Sequence, residues 1–148
     1  MTPYELRRIP AAQTRHLRHV VLRPHQRPEE LVYPGDDAPD TVHLELLVGG
    51  EQLGVASLYK ESRPGSGAST EWRLRGMAVL ANSQGRGHGA ALLQACIDHA
   101  TRQGGSRLWC NARTTASGFY RRLNFEVEGD VFELPGIGPH YLMWRPLP

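Results

Sequence analysis

The stretch Asn82-Ser83-Gln84-Gly85-Arg86-Gly87-His88-Gly89-Ala90-Ala91-Leu92-Leu93 decides how the rest of the chain is read. Three glycines alternate with Arg86 and His88. An apolar, strand-like run from Leu74 to Leu80 comes just before, and the apolar spacing just after predicts an amphipathic helix over 87–103. Glycine at a strand-to-helix junction lets the backbone turn tightly and approach a ligand closely. The first N–H groups of a helix have no partner inside it, and the helix dipole adds partial positive charge at the same end. Together these features make a site for an anion, phosphate above all. Arg86 and His88 stand where they would add charge at its rim.

Two kinds of site use this device. Read as Gly85-x-Gly87-x-x-Ala90, the stretch fits the loose dinucleotide fingerprint. That reading needs an acidic residue about twenty residues further on, closing the next strand to hold a ribose. The next strand-like run is Arg107-Leu108-Trp109-Cys110-Asn111, and neither Asp nor Glu ends it. Too little chain follows for further βαβ units. These absences count against a dinucleotide-binding module.

The chain has 148 residues, enough for one domain over 1–148 with a real core. At 40% hydrophobic and 22% charged it reads as globular. A net charge of +2, with no Lys/Arg stripe, argues against a nucleic-acid binder. Cys96 and Cys110 fall on apolar positions without metal-ligand spacing, so free buried thiols are expected and no metal. The start, Met1-Thr-Pro-Tyr-Glu-Leu-Arg-Arg, lacks an apolar signal region, and no apolar run reaches membrane-spanning length. A cytoplasmic protein with no membrane partner is the expectation.

Alternation over Tyr4 to Ile9 predicts a first strand, ended by Pro10, and helical spacing of Leu17, Val20 and Val21 a helix over 11–22. Two prolines break the chain at 23–28. A short helical turn over 29–32 and a turn-rich loop over 33–40 follow. Glu29, Glu30, Asp36, Asp37 and Asp40 gather negative charge here, either as a solvated loop or as an attractor for a cationic amine. Thr41 to Val48 and Gln52 to Tyr59 read as strands joined by a hairpin at Gly49-Gly50-Glu51. Strict alternation over Glu71 to Leu80 puts Trp72, Leu74, Gly76 and Ala78 on one face and Glu71, Arg73, Arg75, Met77 and Val79 on the other. After the glycine loop and its helix come a strand at 107–111, a helix over 114–123, a strand over 125–134, a stiff loop at 135–139 and a last strand over 140–144.

Leu74-Arg75-Gly76-Met77-Ala78-Val79 followed at once by Gln84-x-x-Gly87-x-Gly89 resembles the acyl-CoA motif of the GNAT superfamily of N-acetyltransferases. Downstream, Asn111-Ala112-Arg113 and then Ala116-x-x-Phe119-Tyr120-x-x-Leu123-x-Phe125 is similar to the family's second motif. Asn124 stands where the family commonly has glycine, a mild departure, since Asn tolerates the left-handed conformation a helix end often needs. The resemblance spans residues 70–127; the ending, Phe132 to Met143, looks like that of small bacterial single-domain members.

The resemblance implies a GNAT fold: an α/β (α+β mixed) domain whose mainly antiparallel sheet of about six to seven strands splays in the middle, with helices on both faces. It implies acetyl-CoA as cosubstrate and an amine acceptor as partners. Backbone groups of Met77, Ala78 and Val79 would pair with the pantetheine arm, and those of Gln84, Gly85, Arg86, Gly87, His88, Gly89 and Ala90 would hold the pyrophosphate. Asn111 would bond pantetheine from the neighbouring strand, and Tyr120 would protonate the leaving thiolate.

A neutral amine must attack, so a general base is expected, and a backbone N–H near Met77 or Val79 could serve the oxyanion. Some family members carry Glu where Arg73 stands here. That leaves Glu71 and His140 as the leading candidates for base, with Glu45, His43 and Glu133 behind them. The expected activity is direct acetyl transfer from acetyl-CoA to a primary amine of a small molecule or peptide. The alternative is an acyl-CoA-binding regulatory or scaffold protein without turnover. Edge strands leave room for a homodimer.

Overall fold

The computed structural model describes residues 3–148; Met1 and Thr2, the start of the stretch read for a signal region, lie outside the described residues. Seven strands form one sheet in the order β1-β2-β3-β4-β5-β7-β6. They are β1 (Glu5–Ile9), β2 (Val42–Val48), β3 (Glu51–Tyr59), β4 (Glu71–Val79), β5 (Arg107–Arg113), β6 (Glu126–Leu134) and β7 (Gly138–Pro146). Every neighbouring pair is antiparallel except β4 and β5, which a β-α-β crossover through α2 (His88–Arg102) makes parallel. The sheet is thus mixed and mainly antiparallel, with helices on both faces, as the resemblance implied. No helix among the described residues is long and apolar enough to cross a membrane.

The two faces hold separate cores. On one, Leu92, Leu93, Cys96, Ile97 and Ala100 of α2 pack on Leu46, Leu58, Leu74, Leu108 and Met143. The helix carries these side chains at three- and four-residue spacing, so one stripe covers the sheet. The short helix α3 (Ser117–Arg122) joins the same core through Tyr120. On the other face, Ile9, Leu17, Val55 and Ala78 pack together with Val21 and Leu22 beneath the helical segment 11–22.

Strict alternation along β4 fails at one point, and the cause is Gly76. Its φ is +64°, a left-handed conformation that costs L side chains about 1 kcal/mol or more. The β3–β4 register shifts there: Ser57 faces Arg75, whereas Val55 faces Ala78. This is a β-bulge, one extra residue on β4. Beyond it the faces exchange, so Leu74 and Met77 pack toward α2 while Ala78 packs beneath the segment 11–22. The reading that put Leu74 and Ala78 on one face is corrected by this bulge.

The segment 11–22 also differs from the regular helix expected. It is a 3₁₀ turn (Ala11–Thr14), one α turn, called α1 (Arg15–Leu17), and a π turn (Arg18–Leu22). Thr14 Oγ1 donates to the Ala11 carbonyl at 2.6 Å, and the Arg23 N–H bonds both the Arg18 and His19 carbonyls. Widening at the π turn accompanies the burial of the Arg18 side chain. The last strand is longer than expected and includes Pro139, because proline is tolerated near the start of a strand.

Candidate active site

Parallel pairing of β4 with β5 holds only from Glu71–Arg107 to Arg73–Trp109. Past Arg73 the bulge turns β4 away, while β5 keeps its antiparallel pairing to β7 along its whole length. The strands open into a wedge, which leaves the β4 backbone at 75–79 without a partner on that side. A cleft of about 1110 Å³ fills the wedge. It is lined at one end by Gln84, Gly85, Gly87, Gly89 and Ala90, along its floor by Met77, Val79 and Asn111, and elsewhere by Tyr120 and His140.

The glycine loop has the geometry of an anion site. Gly85 and Gly87 sit at φ of +80° and +83°, values that an L side chain would strain. The first bond of α2 runs from the Ala91 N–H to the Gly87 carbonyl, so the N–H groups of His88, Gly89 and Ala90 are left over. Gln84 Nε2 donates to the Val79 carbonyl at 3.1 Å and ties the loop to the end of β4. A Cβ on Gly89 would meet the Phe119 ring at 3.4 Å, which shows how closely α3 sits against the loop.

Tyr120 is buried between Phe119 and Phe125, both edge-on, with ring centroids 5.1 and 5.4 Å away. Its hydroxyl has no hydrogen-bond partner among the described residues. Burial, and then the nearby Cys110 and Cys96, push its pKa well above the ordinary phenol value. It therefore holds its proton throughout the neutral range. His140 is buried at the start of β7, stacked against Phe132. Its Nδ1 lies 2.8 Å from the Gly138 carbonyl. A carbonyl only accepts, so Nδ1 carries the proton and a neutral ring has its lone pair on Nε2.

Other candidate residues fall elsewhere. Glu71 is buried outside the cleft walls, where its carboxylate receives the Arg63 N–H at 2.8 Å, Ser66 Oγ at 3.0 Å and the Arg63 and Arg107 guanidinium groups. Burial alone would raise its pKa, but the bonds from Arg63 and Ser66 outweigh that and hold it below the usual carboxylate range. Ala78 faces the other core, so only its backbone could serve the cleft. Arg86 is exposed on the loop, whereas His88 turns inward to meet the edge of Tyr4, and neither side chain lines the cleft. His43 is held by Ser57 Oγ and the Asp36 carbonyl, and Glu45 by Gln52, all outside the cleft. Cys96 and Cys110 are free and buried, and burial pushes both thiols up to about 12, which disfavours a nucleophilic thiolate.

The carboxylates of the acidic loop do not line the cleft. Asp36 is buried in a bidentate pair with Arg18, at 2.8 and 3.1 Å, and also accepts from the Tyr59 hydroxyl and the Tyr33 N–H. Arg18 donates further to the Leu31 carbonyl and Ser57 Oγ. None of Glu29, Glu30, Asp37 and Asp40 lines the cleft. Its walls carry Arg23, Arg73, Arg75, Arg113 and Arg122 and no carboxylate, so the attraction of a cationic amine by this loop is not supported.

Residues 5–125 match the Acetyltransferase (GNAT) family, most of the chain. The chain belongs to this family. It is 34% identical over 143 residues to the uncharacterized N-acetyltransferase YitI of Bacillus subtilis (strain 168), covering 97% of this chain and 96% of that one. The structure of Escherichia coli ElaA superposes with a TM-score of 0.79 at 18% identity, covering 97% of this chain and 99% of that one. An aminoglycoside 6'-N-acetyltransferase complexed with coenzyme A does so with a TM-score of 0.71 at 13% identity, covering 96% of each chain. At those identities the two structures speak for the fold alone. The general activity of a GNAT protein is acyl transfer from acetyl-CoA. The leftover loop N–H groups and the unpaired β4 edge suit the phosphates and the amide-bearing arm of that cosubstrate.

Proposed function

We propose that this GNAT protein moves an acetyl group from acetyl-CoA directly to the nitrogen of a primary amine. One observation carries the reading: loop amides, open strand edge, phenol and imidazole all line a single cleft. In this account the N–H groups of residues 84–90 take the pyrophosphate. The β4 edge at Met77, Ala78 and Val79 and the side chain of Asn111 take the pantetheine arm.

His140 is the general base. Its Nε2 removes a proton from the amine as nitrogen bonds to the thioester carbonyl carbon, while Nδ1–H stays fixed on the Gly138 carbonyl. A β4 N–H beside Met77 or Val79 donates to the oxyanion. As the carbon–sulfur bond breaks, Tyr120 gives its proton to sulfur, and amide and free thiol leave. The phenolate then recovers a proton readily, because burial makes it strongly basic. Glu71 has no part in these steps, since its carboxylate is already enclosed by donors.

Mass spectrometry of amines incubated with acetyl-CoA tests this reading. We expect an added acetyl mass on at least one amine, and a fall of about 10²-fold or more in its rate for His140→Gln. An unchanged rate in that variant overturns the base assignment; amines left unmodified while CoA binds favour a non-catalytic binding protein.

A further inference from the structure

Three half-buried arginines of the cleft have no salt-bridge partner among the described residues. Arg18 is paired with Asp36 and Arg73 with Glu61, whereas no carboxylate among the described residues pairs with Arg23, Arg75 or Arg113. All three are half-buried and line the cleft. Arg23 Nη1 and Arg113 Nη2 both donate to the same carbonyl, that of Leu22, each at 2.9 Å. Two like charges are thereby pinned side by side, with further N–H groups to spare. Arg75 lies over the Tyr33 ring at 4.3 Å and makes no hydrogen bond to a described side chain. Tyr33 itself is fixed from behind by Arg18 at 4.0 Å and by its N–H bond to Asp36.

Holding like charges together in a partly dry wall is unfavourable unless an anion completes the set. Burial above all lowers the pKa of both groups, and a neighbouring arginine adds to it, Arg113 for Arg23 and Arg73 for Arg75, against a smaller rise from Tyr33. Phosphates of the cosubstrate have their own donors at the glycine loop. Arg122, on the helix that abuts Gly89 through Phe119, is exposed, unlike these three. The cluster around Tyr33 is built from other elements: the end of the segment 11–22, the first half of β4 and the end of β5.

We propose that the amine accepted by this cleft also carries a carboxylate, which Arg23, Arg75 and Arg113 bind around Tyr33. The planar fork of a guanidinium matches a carboxylate with two parallel hydrogen bonds, and the substrate class is an amino acid or a short peptide with a free C-terminus. The inference rests on the acyl-transfer reading of the same cleft.

Calorimetry on the full chain tests both, in order. Coenzyme A is titrated first, and failure to bind overturns the acyl-transfer reading together with this one. To the CoA-loaded protein we then add glycine, β-alanine and glycylglycine, each against its C-terminal amide. At least one carboxylate should bind about tenfold or more tighter than its amide. Arg75→Gln should abolish that preference and leave CoA affinity unchanged, with Arg75→Lys between. Arg23→Gln provides a second route should the first variant fold poorly. Equal binding of acids and amides overturns the carboxylate site while acyl transfer stands. The carboxylate site is likewise overturned if Arg75→Gln weakens CoA and keeps the preference, which would give the cluster to the cosubstrate's phosphates.

Discussion

Replacing Asp36 by Asn should destabilise this protein strongly, because it leaves Arg18 buried without its counter-charge. Arg18 and Asp36 have side chains 0% and 1% exposed and meet at 2.8 Å. Removing one partner leaves the other as an uncompensated buried charge, a loss of about 3 to 5 kcal/mol. A loss of that size lowers the melting temperature by roughly 10 to 15 °C in a domain of this length. The carboxylate also anchors the Tyr33 N–H and the Tyr59 hydroxyl, so the amide must give up several bonds at once.

pH supplies a second readout of the same pair. Burial alone would raise the Asp36 pKa, but bonds from Arg18 and Tyr59 outweigh it and hold the carboxyl below its usual value. A carboxyl with a depressed folded pKa contributes stability that is full above its unfolded value, about 3.9, and is lost as pH falls through the folded value. Melting of the wild type should therefore drop below about pH 4 more steeply than melting of Asp36→Asn. Removing both charges, as Arg18→Met with Asp36→Leu, should recover much of the loss, since hydrophobic replacement of a buried pair is often neutral. The assay is thermal unfolding by circular dichroism across pH. A single-variant loss under about 1 kcal/mol, or a double variant no better than the single, would show that the buried pair does not carry this stability.

Three further outcomes follow from particular residues. Glu71→Gln should lower the melting temperature by several degrees, because Arg107 loses its counter-charge and Arg63 keeps only Glu128, and should leave the acetyl-transfer rate within about twofold; a large rate loss with unchanged melting would return Glu71 to the reaction. Gly87→Ala, at φ +83°, should weaken CoA binding in calorimetry about tenfold, through strain of about 1–2 kcal/mol in the loop, and unaltered affinity would detach the loop from the phosphates. Asn124 holds φ +69° at the end of α3, so Asn124→Ala should cost about 1 kcal/mol in denaturant unfolding while Asn124→Gly stays within about 0.5 kcal/mol; equal effects would deny the left-handed requirement.

What sequence reading recovered is local, and what it missed is long-range. The glycine loop was legible because a tight turn and leftover helix amides require glycine at fixed positions, here Gly85 and Gly87. The strands from Val42 onward followed from alternation and turn residues within short windows. Gly76 did carry a signal, since a lone glycine inside a strand marks a bulge, and taking it would have given the face exchange between Leu74 and Ala78. Nothing local marked Arg18: it sits among other polar residues of a helical pattern, and its partners Asp36, Ser57 and Tyr59 come from separate stretches. The acidic loop was legible only in part for the same reason: Glu29, Glu30, Asp37 and Asp40 are exposed as a solvated loop requires, but local charge does not reveal that Asp36 is turned inward. The cationic wall is assembled from residues 23, 73, 75 and 113, which only the folded sheet brings together. His88 shows the converse, a residue of the glycine loop whose side chain points away from the cleft.

Thiol release from acetyl-CoA across a panel of primary amines, run on wild type and Tyr120→Phe, decides whether this cleft transfers acetyl groups with Tyr120 as the acid. Amine-dependent release by the wild type is expected, with a rate about 10²- to 10⁴-fold lower in Tyr120→Phe and CoA affinity retained. Bound CoA with no amine-dependent release, or a Tyr120→Phe variant as fast as the wild type, would contradict this reading.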